Sequence, residues 1–182
     1  IISVNQGTKK DSINTFTDAR NAEMRMILIN NTDEDMNNVH ILGRTIFNGN
    51  KDIINNQELG ANQDAPMTSK IVPLNGNIQN ATIYYSENGE ANDKLEDEQN
   101  GWTQDIEDLS KVKSYLIVVD GVVGIGNILM YSYNFEIPAN LNNNLDLCGT
   151  FGTYYVGTKT QGVGEADKVI LSTGDAPVLK VE

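Results

Sequence analysis

The sequence predicts an all-β protein, an antiparallel β-sandwich with one short helix and one long polar loop. Three observations carry that prediction. Apolar residues recur with period two rather than 3.6 along most of the chain. The dipeptide Asn-Gly, favoured where both central residues of a hairpin turn need positive φ, occurs four times: Asn48-Gly49, Asn75-Gly76, Asn88-Gly89 and Asn100-Gly101. With 182 residues, 39 % of them apolar, the chain is long enough to bury one core as a single domain over 1–182.

Each element follows from its own residues. Met24-Arg25-Met26-Ile27-Leu28-Ile29 alternates and ends at Asn30-Asn31. Val39 to Phe47 continues the pattern, with Gly43 expected as a bulge. Lys70-Ile71-Val72 and Gln79 to Tyr85 flank Asn75-Gly76, which predicts a hairpin. Residues 86–101 contain almost no apolar side chains and read as one surface loop inside the domain. Thr103 to Leu109 reads as the short helix, Thr103 capping it and acids filling its first turn. Ser114 to Val119 is apolar on both faces and reads as a central strand. Gly121 to Asn127 lacks dinucleotide-binding glycine spacing and is expected to be a hairpin turn. In the next strand Leu129, Tyr131, Tyr133, Phe135 and Ile137 share one face, with Ser132, Asn134 and Glu136 on the other. Leu147 to Val156, Lys168 to Leu171 and Val178 to Val181 complete the set.

Charge narrows the function classes. Thirteen Lys and Arg against 25 Asp and Glu leave a net charge of −12. That argues against nucleic acid, whose phosphates need cationic partners, and against an anionic membrane surface. The apolar stretch Tyr115 to Tyr131 holds Asp120, Asn127 and three glycines, so it does not read as a membrane span. One Cys excludes an internal disulfide, and one His disfavours a His-built zinc site or a Ser-His-Asp triad. Cys148, among apolar neighbours, reads as a small buried hydrophobe, and His40 as a polar residue facing away from Val39 and Ile41. The opening Ile1-Ile2-Ser3-Val4 has no charged segment before an apolar run, so it reads as the start of an excised module rather than a signal peptide.

Several segments, in order, carry a resemblance. They are Ile83-Tyr84-Tyr85-Ser86-Glu87-Asn88-Gly89, Asn100-Gly101-Trp102, and Asp108-Leu109-Ser110-Lys111-Val112-Lys113-Ser114-Tyr115-Leu116-Ile117. Tyr131-Ser132-Tyr133-Asn134-Phe135-Glu136-Ile137-Pro138, Gly149 to Tyr155, Ala166-Asp167-Lys168-Val169 and Thr173-Gly174-Asp175-Ala176-Pro177 follow. Together they resemble a tandem repeat module of large cell-wall-anchored, adhesin-like surface proteins of Gram-positive bacteria. The resemblance implies an extracellular, immunoglobulin-like sandwich, anchored to the cell wall through its parent protein and partnered by neighbouring repeats. It implies no catalytic motif. Some related surface modules carry intramolecular isopeptide or ester cross-links.

An isopeptide bond needs a buried, neutral Lys beside an Asn or Asp carbonyl and a protonated carboxyl group. Lys9, Lys10 and Lys168 are the candidate lysines, and Asn134 and Glu136, two apart on one strand face, the candidate partners. The acidic runs 32–38 and 92–98 invite a calcium reading, but neither has EF-hand spacing, so no cofactor is assigned. Trp102, beside the polar loop, is the candidate for stacking on a ligand; its other reading is packing against the short helix. The expected function is therefore a non-enzymatic structural repeat, a stalk or spacer. The alternative is a module that binds a host matrix protein or glycan through loops such as 86–102.

Overall fold

The computed structural model describes residues 2–3, 14–16, 21–30, 33–53, 56–58, 60–74, 80–138, 146–147, 153–159, 168–174 and 179–181, with side chains described between 21 and 138. The strands are β1 (Ile2–Ser3), β2 (Asn14–Phe16), β3 (Asn21–Ile29), β4 (Met36–Arg44), β5 (Val72–Pro73) and β6 (Ala81–Ser86). They continue with β7 (Ser114–Val119), β8 (Ile128–Glu136), β9 (Asp146–Leu147), β10 (Thr153–Lys159), β11 (Lys168–Gly174) and β12 (Leu179–Val181). Three sheets result, ordered β1-β3-β8-β5, β11-β10-β4-β7-β6 and β2-β12-β9. The all-β class read from the sequence holds, and the two larger sheets form a sandwich around a shared core.

Period two decides which side chains enter that core. From the first sheet come Met24, Met26 and Leu28 of β3 and Leu129, Tyr131, Tyr133 and Phe135 of β8. From the second come Val39 and Ile41 of β4, Tyr85 of β6, and Tyr115 and Ile117 of β7. The Tyr115 and Tyr133 rings meet edge to face across the sandwich, centroids 5.6 Å apart, and Phe135 lies 6.4 Å from Tyr133. Burial, with Tyr115 alongside, drives the Tyr133 phenol well above its ordinary pKa.

Four details differ from the sequence reading. No α-helix forms at 103–109. Thr103 exchanges two backbone hydrogen bonds with Tyr85 and lies beside β6 as an isolated bridge. Its hydroxyl caps a local turn at Asp105, and short 3₁₀ turns form at Glu98–Asn100 and Leu109–Lys111. Seven residues offer too few helical bonds to outweigh nucleation and those ladder bonds. Gly43 is not a bulge: it stays in register with Tyr115 and Thr153, and the irregularity of β4 lies instead between Asn37 and His40, where three steps on β4 face two on β10.

Neither expected hairpin forms. β5 pairs with β8 in the first sheet, whereas β6 pairs with β7 in the second, so the chain between them changes sheets; Asn75-Gly76 lies outside the described residues. Residues 120–127 likewise cross from β7 to β8 in the opposite sheet. β3 and β4 likewise lie in opposite sheets, and the two connections meet at Asn30 and at Met36. Asn30 and Gly126–Asn127 exchange bonds (Asn30 N–H to Asn127 O, 3.0 Å; Gly126 N–H to Asn30 O, 2.8 Å), as do Met36 and Val123. The buried Asn30 amide donates to Glu34 O and Val123 O and locks the two arches together. The ladder is also not wholly antiparallel, because β1–β3 and β2–β12 pair in parallel.

Candidate functional site

The outer face of the second sheet holds the site. On β4, His40, Leu42 and Arg44 point away from the core, as do Ser114, Leu116 and Val118 on β7. An outer face of a two-layer sandwich is normally wet, yet Leu42 is 2 % and Leu116 0 % exposed. The loop 87–101 lies against this face: Leu42 and residues 89–93 line one cavity, and Arg44 and Ser114 bond to the loop backbone. Its polar residues supply their own hydrogen bonds. Asn100 donates through Nδ2 to Asn92 Oδ1 (2.9 Å) and Lys94 O (2.7 Å), and its Oδ1 accepts Asn92 N–H. Asn88 Nδ2 donates to Gln99 O, and Asp97 accepts Gln99 N–H. Gly101, at φ 61°, turns the chain out of the 3₁₀ turn as only glycine does freely. Ser114 Oγ donates to Asn88 O and ties the loop to β7.

Arg44 lies beneath this cover, 5 % exposed. Its Nη1 donates to Ala91 O and Ser114 Oγ, both at 2.7 Å. Among the described residues its Nε and Nη2 donate to no acceptor, and it forms no ion pair. Burial lowers its pKa to about 10, partly offset by the field of Glu90. It therefore stays cationic at neutral pH. Beside it opens a cavity of about 480 Å³, lined by Leu42, Arg44, Lys51, Ile53, Glu90 and Asp93 among others. That volume lies in the range of small-ligand sites. At the rim Lys51 Nζ meets Glu90 at 2.9 Å, and the pairing raises the lysine pKa and lowers that of the glutamate.

The residues singled out from sequence are placed as follows. Trp102 is half-buried, its indole N–H donating to Asn92 O at 3.1 Å, so it packs on the loop and not on a helix. Asn134 and Glu136 are exposed on the outward face of β8 in the first sheet. The described half of the cross-link constellation thus lacks the burial that the chemistry needs. Lys168 begins β11 in the second sheet, opposite Thr158; its side chain lies outside the described residues, as do Lys9, Lys10 and Cys148. In the acidic runs, Asp35 accepts Ile125 N–H from the other connection and Asn92 Oδ1 accepts Lys94 N–H within its own loop, so these oxygens already bind backbone. His40 is half-buried on the outer face.

Sequence reasoning passed over Arg44. The available signal was indirect: Leu42 and Leu116 put apolar side chains on the outer face, which requires a cover, and Arg44 is the cation on that same face. Comparison of the chain with protein-family models, with curated proteins and with solved structures gives no match.

Proposed function

We propose that the chain is a non-enzymatic, immunoglobulin-like structural module that carries tension as a spacer in a surface protein. The observation that carries this reading is the parallel pairing of β2 with β12, in the register Asn14–Leu179, Thr15–Lys180 and Phe16–Val181. In a parallel pair, force drawn N-terminally from one strand and C-terminally from the other pulls the two past each other. All the bonds between them are then loaded together. In an antiparallel pair opened from one end, the bonds break one at a time. A strand near residue 1 locked in shear to a strand near residue 182 is the geometry a spacer under tension needs. The resemblance of its segments to Gram-positive surface repeats supports the same reading, and a net charge of −12 would keep repeated copies soluble and mutually repelling.

The test is single-molecule force spectroscopy on the whole chain in two geometries. One attaches handles at the two ends. The other attaches them at Ile29→Cys and Ile128→Cys, exposed partners at one end of the β3–β8 ladder, in a Cys148→Ser background. The expected result is a rupture force clearly higher end to end than across that ladder. Equal forces, or a weaker end-to-end geometry, would overturn the proposal.

A further inference from the structure

A second role belongs to the cavity under the loop, and it stands whether or not the mechanical reading does. We infer that the Arg44 cavity binds a small zwitterion of the α-amino acid type, its carboxylate on Arg44 and its ammonium group towards Asp93. The argument begins with what Arg44 already does. Its two bonds, to Ala91 O and Ser114 Oγ, come from Nη1 alone. A neutral glutamine amide would supply donors of that kind without burying a charge. A guanidinium held at 5 % exposure that forms no ion pair among the described residues is costly, because a buried ion gives up most of its hydration and the field of Glu90 only partly compensates.

The unused edge sets the ligand class. Nε and Nη2 present two parallel N–H groups, the geometry that receives a carboxylate in bidentate fashion. Among the described residues, the carboxylate whose field raises the Arg44 pKa is Glu90, and that group is held by Lys51 at 2.9 Å. The walls then restrict what accompanies the ligand carboxylate. Leu42, Ile53 and Ala91 offer apolar contact for a short aliphatic body. Asp52, Glu90 and Asp93 line the same cavity, and Lys51 balances one of them. Such a lining repels a phosphate or sulfate dianion but suits a molecule carrying one negative and one positive group. Asp93, half-buried and without an ion pair among the described residues, is the group positioned to receive the ammonium.

The experiment follows the Arg44 side chain directly. The chain has three arginines, Arg20, Arg25 and Arg44, so its arginine Nε–H signals in a ¹H–¹⁵N spectrum are assignable by single Arg→Lys substitutions. The twenty natural L-amino acids are titrated singly into the ¹⁵N-labelled wild-type chain. For at least one of them the Arg44 Nε–H signal should move saturably. The corresponding amide, lacking the carboxylate, should leave it in place, and the N-acetyl derivative, lacking the ammonium, should bind about tenfold more weakly. Arg44→Gln should abolish binding. Because that variant also risks loosening the loop, Asp93→Asn provides the second arm: weaker binding of the free amino acid, unchanged binding of its N-acetyl form. The proposal is overturned if none of the twenty moves the signal, if the amide moves it as far as the acid, or if Asp93→Asn leaves the amino acid's affinity unchanged.

Discussion

Gly43 and Tyr115 face each other across β4 and β7, and the phenol ring lies over the place where a Cβ at position 43 would be. A Cβ built there falls 2.0 Å from Tyr115 Cζ and 2.2 Å from its hydroxyl oxygen, far inside van der Waals contact. Tyr115 cannot yield by a rotamer change without losing its edge-to-face contact with Tyr133. Gly43→Ala is therefore expected to destabilise the fold by about 1–3 kcal/mol, the usual range for overpacking a core. Urea unfolding would measure it, read from the midpoint at constant slope. A change below about 0.5 kcal/mol would mean that the ring does not need the glycine. The sequence marks Gly43 as exceptional, because a glycine inside an alternating strand weakens it. It does not say whether the reason is a bulge or a neighbour's ring, since that depends on which strand pairs with β4. The same gap hid Arg44, whose burial comes from a loop more than forty residues further along the chain.

At the level of elements, the strands were legible and their partners were not. The five alternating residues Leu129 to Ile137 point where period two puts them, and all five are buried. Short-range turn chemistry, by contrast, misleads at Asn75-Gly76 and at 121–127, because Asn-Gly in the first and clustered glycines in the second signal a reversal of the chain but not the sheet that the next strand joins. The both-faces-apolar strand Ser114–Val119 was the better guide: it is central, between β4 and β6, its outward Leu116 is as buried as its inward residues, and the loop 87–101 is tied to it through Ser114. The polar composition of this loop suggested a solvated excursion; in the fold it is a hydrogen-bonded cover. Asn100 is its centre, 2 % exposed, donating twice and accepting once. Asn100→Ala should cost about 1–3 kcal/mol, since it leaves Asn92 N–H and Lys94 O without their partner. The loss should be local. Hydrogen exchange is expected to speed up across 87–101 and at the Leu116 amide while the β3–β8 amides stay protected. Uniform acceleration over both sheets would show that the loop and the sandwich open as one unit.

On the scale of the whole molecule, chemical and mechanical stability separate. Among the described residues five aromatic rings, Tyr85, Tyr115, Tyr131, Tyr133 and Phe135, are fully buried, and burial of this kind contributes most to the free energy of unfolding. Resistance to tension depends instead on the barrier crossed along the pulling direction, a property of the unfolding rate rather than of that free energy. End to end, the load meets the two residue pairs of β1 with β3 and then the three pairs of β2 with β12. A proline at position 15 removes a backbone donor and constrains the residue before it, both within the middle of β2. Thr15→Pro should therefore speed unfolding at constant end-to-end force by about fivefold, the equivalent of ~1 kcal/mol for one lost ladder bond. With handles at positions 29 and 128 the rate should not change, because that path opens β3 from β8 before any load reaches β2. An equal acceleration in both geometries would mean that the proline weakens the whole fold and that β2–β12 is no clamp. No acceleration in either would place the mechanical barrier elsewhere, in the β3–β8 ladder of nine residue pairs.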